Sequence, residues 1–446
     1  MIVLKTNKIE PLINSKIKSK NMKKITFLIA LFAGLQLVAF SQSCLPDGIT
    51  FSNQSAIDNF QASHPNCTQV EGYVIISGND ITNLDGLNMI TSVGEYLMID
   101  DNALLISIAG LGNLTHVEGD FEINYNPSLT SLTGLESITA LNNDFLLYGN
   151  TALMNLTGLD ALTSVGGNFE IVDDDMLTNL SGLGGLEMVT GEFIIAQNDA
   201  LVNMEGLTSL TLLEDNLILY KNPGLINLSG IGSLSSIGRI FQIFNNIQLT
   251  TLSGVEGLTT VNDGLFINSN FELENVYGLN NVTLVGGKLM IKANNKLTTL
   301  NGLGNIAAES IDSINISGNL MLSTCHVQSV CDFIATPDAV VYIVDNAEGC
   351  NNETEVDSAC QSLNVPELKF GDYYSIYPVP AHDKLQISVL NGAVMNSITV
   401  YNQFGQKVIF IKPTGTSIDI SGLNPGLYII EIQDNKNKLR GRFIVR

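Results

Sequence analysis

Apolar and polar positions along this chain recur with a period of 24 residues. Glycine marks the frame: Gly86, Gly110, Gly134, Gly158, Gly182, Gly206, Gly230, Gly254, Gly278 and Gly302 are evenly spaced. An apolar side chain stands two residues before each, from Leu84 to Leu300, and another five before, from Ile81 to Leu297. A further apolar column runs through Val93, Val117, Leu141 and Val165 to Val285. The pair Phe121 and Ile123 returns as Phe145 and Leu147, Phe169 and Ile171, then Phe193 and Ile195. Alternation over so short a stretch predicts a strand with both members pointing inward. One coil of 24 residues cannot bury its apolar side, but neighbours stacked on it can. The pattern therefore predicts a mainly β, leucine-rich-repeat or β-helix-like solenoid of about ten coils. At about 4.8 Å per coil its core is roughly 48 Å long. The glycine column predicts a tight corner with no room for a side chain. Asn102, Asn126, Asn150, Asn198, Asn222, Asn246, Asn270 and Asn294 form a second corner column, interrupted by Asp174. Stacked Asn side chains can bond turn backbone in their own coil and the next.

The pattern changes at both ends. Ile314, Ile316 and Asn319 fall one place late, so a residue is inserted after Gly302. The six cysteines avoid the repeats: Cys44 and Cys67 precede them, and Cys325, Cys331, Cys350 and Cys360 follow. An even set outside a uniform solenoid reads as disulfides stapling its caps. The favoured pairings are Cys44–Cys67, Cys325–Cys350 and Cys331–Cys360; the five-residue gap between Cys325 and Cys331 does not suit a zinc site. The divisions read as an N-terminal cap at 42–80 with a short helix near 55–60, the solenoid at 81–324 and a Cys-bearing cap at 325–360. A linker at 361–372 follows. Residues 373–446 lose the 24-residue period; 385–389, 398–401, 407–411 and 427–432 read as short antiparallel strands of a small β-sandwich.

Charge is unevenly shared. The formal net charge is -23. The first 41 residues carry +6 and residues 373–446 carry +4, so the 331 residues between hold -33. A body this acidic repels phosphate backbones and argues against nucleic-acid binding. It favours solubility outside the cell, or attraction to cations or a basic partner. Lys23 and Lys24 precede an apolar run from Ile25 to Phe40, and Ala39 and Ser41 supply small residues before Gln42. This is the pattern of a secretory signal in 1–41, with Met22 as the expected initiator. The run is too short for a membrane span, and no transmembrane segment is expected in the mature chain.

No catalytic constellation emerges, and the expectation is a non-enzyme without cofactor or metal. His64, His116, His326 and His382 stand apart in sequence, and no metalloprotease, nucleophile-elbow or phosphate-loop motif occurs. Asp100-Asp101 and Asp173 to Asp175 place carboxylates at coil corners, read as solvated, with Ca²⁺ binding as the alternative. More informative is the outward residue between each inward strand pair: Met98, Glu122, Leu146, Glu170, Ile194, Ile218, Gln242, Phe266 and Met290. Six of these nine are apolar, a high share for a position facing water. Tyr148, Tyr220 and Phe244 lie two residues further on. Leu146, Tyr148, Ile194, Ile218, Tyr220, Phe244 and Phe266 are therefore the candidate binding face, and the alternative is that neighbouring loops cover them.

The repeat around LTSLTGLESITAL and FLLYGN resembles the receptor L-domain type of leucine-rich repeat, found in the insulin and epidermal growth factor receptors. The resemblance covers 44–360 and implies a helix of short parallel strands with recognition on an exposed sheet face. The tail carries YPVPAHDKLQI, VYNQFGQKV, IDISGLNPGLYIIEI and a terminal RFIVR. Together these resemble the type A-like C-terminal sorting domain of type IX secretion substrates in Bacteroidota-type bacteria. Tyr377, Pro378, Pro380, Asp383, Gly405, Gly426 and Tyr428 fall on that motif, while Val379 departs from it. The resemblance implies type IX machinery as a partner, passage across the outer membrane, and release or surface attachment. The expected function is an exported adhesion or binding protein for a protein or glycan. A structural surface-layer spacer is the alternative, and a polymer-degrading enzyme a weaker one.

Overall fold

The computed structural model describes residues 42–363, 370–390, 395–402, 405–413, 415–434 and 438–446. The expected signal segment at 1–41 lies outside the described residues. The chain divides into two compact units, Met1–Asp357 and Ser358–Arg446.

The first unit is a parallel solenoid. Its long face is a 13-stranded sheet running from Ile49–Phe51 to Val340–Val344. Neighbouring strands pair in parallel, and from Leu97–Asp100 to Gly287–Lys292 the register is 24 residues: Phe121 faces Phe145, which faces Phe169, which faces Phe193. The inward members are wholly buried, and those four phenylalanine rings stack 5.1–5.3 Å apart along the axis. Two-residue strands form a second side, from Ala140–Leu141 to Leu284–Val285 in one sheet of seven. Beside these strands the hydroxyls of Thr163, Thr259 and Thr283 donate to backbone carbonyls of the preceding coil, as Thr115 does beside the separate four-stranded sheet nearer the front. These side chains tie coil to coil, a role that the sequence pattern did not suggest.

The glycine column turns the third corner. At Gly182, Gly206 and Gly230 the backbone has φ between +113° and +120°. A Cβ on Gly206 would lie 2.0 Å from the Leu180 carbonyl oxygen of the preceding coil. Both facts demand glycine: left-handed backbone is costly for other residues, and the obstacle is backbone that cannot swing aside.

The Asn column is fully buried. Each rung's Oδ1 accepts from the backbone amide of the previous rung, as Asn246 does from Asn222 at 3.0 Å. Its Nδ2 donates to a strand carbonyl 27 residues earlier, as Asn246 does to Leu219 at 2.9 Å. The ladder continues through Asn319, the position read as one place late, and extends past the sequence expectation to Asn346. Asp174 corrects the reading of its cluster as solvated corner residues. Asp173 and Asp175 are exposed, but Asp174 is a buried rung of the ladder.

Both ends are capped. At the front, Asn53 caps the helix Gln54–Asp58 and Phe60 packs edge-on to Phe51 at 5.4 Å. Cys44 is bonded to Cys67. At the back the inserted residue appears as a register shift after Gly287, and the helix Gln328–Ile334 buries Val330 and Phe333. Cys325 is bonded to Cys350; Cys331 and Cys360 are also disulfide-bonded, and no cysteine is free. The helix Glu353–Leu363 runs past Cys360 into the segment read as linker.

The second unit is an antiparallel sandwich. One sheet holds Tyr374–Tyr377, Lys384–Val389 and Ser417–Asp419; the other holds Lys407–Ile411, Ser397–Asn402, Gly426–Gln433 and Lys438–Val445. Leu385, Ile387, Val400, Ile430 and Phe443 lie in its core. Tyr374–Tyr377, Ser417–Asp419 and Lys438–Val445 escaped the sequence reading.

Candidate functional site

The long sheet presents two outward columns. The first runs Met98, Glu122, Leu146, Glu170, Ile194, Ile218, Gln242, Phe266 and Met290; the second runs Asp100, Asn124, Tyr148, Val172, Ala196, Tyr220, Phe244, Asn268 and Lys292. Register alone fixes this order, because parallel strands in a 24-residue repeat place equivalent positions side by side. Most of these side chains are half-buried by their neighbours in the sheet and open to water on the outside.

The seven candidate face residues divide into two groups. Ile194, Ile218, Tyr220, Phe244 and Phe266 lie on four successive strands and form one patch. Within it the Tyr220 and Phe244 rings stack 5.3 Å apart at 12°. The Lys221 ammonium sits 5.5 Å from the Tyr220 centroid. Each ring of the pair thus packs one face against the other. Leu146 and Tyr148 lie apart, between carboxylates. Leu146 pairs with Glu122 on one side and Glu170 on the other, and the Tyr148 hydroxyl donates to Glu170. Burial and this carboxylate push the Tyr148 phenol upward.

The face is therefore polar and acidic at one end and apolar at the other. At the acidic end, burial first, then Asp120, Asp100 and Asp144, raise the Glu122 carboxyl above its ordinary range, and Asn124 opposes them through a hydrogen bond. Burial, then Asp101, raises Asp100 likewise. A groove of about 340 Å³ borders the apolar patch along the corner, where Asp173, Asp175 and Asp199 sit with Lys221.

One feature of the surface lay outside the sequence reading. Ile106, Met154, Val202 and Ile226 form an exposed column on another side of the coil. Each follows an inward Leu, so an attentive count of the 24-residue frame would have found it. Thr130, Thr178 and Thr250 alternate with them in the same column, which breaks the apolar surface into small pieces.

The histidines do not converge. His116 bonds Glu118 at 2.8 Å, and His382 lies 3.1 Å from the Arg446 carbonyl. Among the described residues no group of three or more His, Cys, Asp or Glu is placed to hold a metal ion.

In the second unit the tail motif is structural. Tyr377-Pro378 and Val379-Pro380 are cis, and Tyr377 is exposed. The Asp383 carbonyl accepts from the Ile420 amide, Gly405 turns a hairpin at φ +74°, and Gly426 opens its strand. The Tyr428 hydroxyl donates to the Asn424 carbonyl at 2.8 Å and its ring stacks on Phe443. The chain terminus is sewn in: Ala381 donates to Ile444 at 2.8 Å and accepts from Arg446 at 3.0 Å. Arg440 reaches the nearly buried Glu431 at 2.8 Å.

Comparison with known proteins agrees with both halves of this description. Residues 66–142 match the receptor L domain model, and 375–446 match the secretion system C-terminal sorting domain model. No match was found among curated proteins. Among the described residues no helix is long and apolar enough to cross a membrane. The chain thus joins receptor L-domain-type repeats to a C-terminal sorting domain of type IX secretion, which directs it to the cell surface or the exterior.

Proposed function

We propose that this chain is an exported, non-catalytic binding protein that engages a protein or glycan through the outer face of its long sheet. The observation that carries the proposal is the patch formed by Ile194, Ile218, Tyr220, Phe244 and Phe266. Contiguous apolar and aromatic side chains on a rigid, water-facing sheet are costly to leave bare and suit a contact surface. The ladder beneath holds them without loops, so little ordering entropy opposes binding. The receptor L-domain match supports a recognition role for this kind of repeat. A glycan and protein array probed with the mature chain tests the proposal. Selective capture is expected, and Tyr220→Ala/Phe244→Ala with intact circular dichroism abolishes it. Capture unchanged in that variant would refute the assignment of the face.

A second reading rests on one observation. The last strand of the long sheet, Val340–Val344, pairs along its whole length on one side only, its other side being bridged at Val344 by Asn352, and its outward Val340 and Tyr342 are 63% and 57% exposed. Open apolar edges invite strand pairing between copies. A structural spacer would associate through that edge, giving concentration-dependent sedimentation and no selective capture.

A further inference from the structure

We propose that the occupant of the long sheet's outer face is a protein segment with a cationic half and an apolar half, the cations lying over the Asp100–Glu170 end and the apolar side chains over Ile194 to Phe266. The inference rests on the binding role proposed above and narrows it to one class of partner. The face is itself two-part. Its N-terminal end carries Asp100, Glu122 and Glu170 in the outward columns, and neither column holds a Lys or Arg before Lys292. Asp120 and Asp144 flank them at the strand starts, linked through the Asp120 carboxylate to the Asp144 amide at 3.2 Å.

These carboxylates crowd one another on a half-dry surface. Burial first, and then Asp120, Asp100 and Asp144, raise the affinity of Glu122 for a proton. A Lys or Arg from a partner would relieve the crowding, and desolvation at the contact would strengthen the attraction. An acidic or phosphorylated partner would meet the same field with the opposite sign. The apolar end argues against a sugar as the principal occupant. Sugars rest on open ring faces, but Tyr220 and Phe244 spend one face each on the other, and Lys221 stands beside Tyr220. A stacked ring pair flanked by Ile194, Ile218 and Phe266 suits aliphatic and aromatic side chains instead.

The two ends are close enough for one segment. Six strand spacings separate Glu122 from Phe266, about 29 Å at about 4.8 Å each, or roughly nine residues of extended chain.

Three nine-residue fluorescent peptides test the proposal against the full mature chain by anisotropy. One has four Lys/Arg followed by five Leu/Ile/Phe; the others replace the basic block with Gln or with Glu. The basic peptide is expected to bind at least about tenfold tighter than the Gln peptide, with the Glu peptide weakest, and to weaken as salt rises. Glu122→Gln/Glu170→Gln should erase the advantage of the basic over the Gln peptide, and Tyr220→Ala/Phe244→Ala should weaken both. Equal binding of the three peptides, or an advantage that survives Glu122→Gln/Glu170→Gln, overturns the proposal. Array capture of a glycan that needs Tyr220 and Phe244, without preference for the basic peptide, also overturns it while leaving the binding role of the face intact.

Discussion

Asp174→Asn should stabilise this protein, and the gain should depend on pH. Every other rung from Asn102 to Asn346 donates through Nδ2 to a strand carbonyl. Asp174 keeps the accepting half, taking the Asn150 amide at 2.7 Å. Its Oδ2 is buried without a partner. By register the carbonyl due a donor there belongs to Leu147, so an acceptor stands where a donor belongs. Burial above all, then Asp173 and Asp175, raise the carboxyl from 3.8 to about 7 against the bonds from Asn150. The folded chain therefore holds this proton more tightly than the unfolded chain. Below about pH 4 both states are protonated and nothing is lost; stability falls as pH rises towards 7 and levels off above it. At full ionisation the loss is about 4 kcal/mol. Asn carries no charge and restores the donor. Urea denaturation of both proteins from pH 4 to 8 measures the difference, in which the general effect of the acidic surface cancels. Asp174→Asn should be more stable by about 3–4 kcal/mol at pH 8, narrowing to about 1 kcal/mol or less at pH 4. A difference independent of pH, or a variant less stable at pH 8, would refute the reasoning.

Other perturbations have equally definite outcomes. Gly206→Ala combines left-handed backbone with a Cβ against the Leu180 carbonyl, and should cost about 3 kcal/mol or more in the same denaturation assay. Asn246→Ala removes an acceptor and a donor from a buried rung, and should cost about 3 kcal/mol while raising amide exchange at Asn222. Reduction of Cys44–Cys67, which closes 23 residues of chain, should destabilise the front cap by about 3 kcal/mol, visible as early proteolysis there. Phe443→Ala should cost the sandwich about 3–5 kcal/mol and reduce export, read as retention in cell fractions; undiminished export with a melted sandwich would separate its sorting role from its fold.

The solenoid was readable because its physics is periodic. Gly206 and Asn246 each repeat a demand made in every coil, so the frame announces them many times. The outward columns follow from alternation within the same frame, which is how Tyr220 and Phe244 were found. Asp174 was misjudged because neighbouring acids mark a solvated corner by composition, and only the stacked geometry shows that its side chain turns inward. The Thr hydroxyl ladder was missed since Thr on a surface strand carries no apolar signal. In the sandwich, the strands Tyr374–Tyr377 and Lys438–Val445 each pair with the strand next to them in sequence, but Lys438, Arg440 and Arg442 conceal the apolar alternation of Leu439 and Phe443, and the prolines at 378 and 380 mask the strand that ends at Tyr377. The split of the binding face into acidic and apolar ends needed neighbouring strands to be placed side by side.

All of these claims require that residues 24 apart be neighbours along a single axis. Paired spin labels can measure this directly, since no native cysteine is free to react. Cysteines replacing the exposed Thr115 together with Thr211, Thr259 or Thr283 span four, six and seven coils. The expected separations are about 19, 29 and 34 Å between backbones, growing in proportion to coil number. Distances that fail to increase with coil number would contradict the stacked solenoid and the continuous face built upon it.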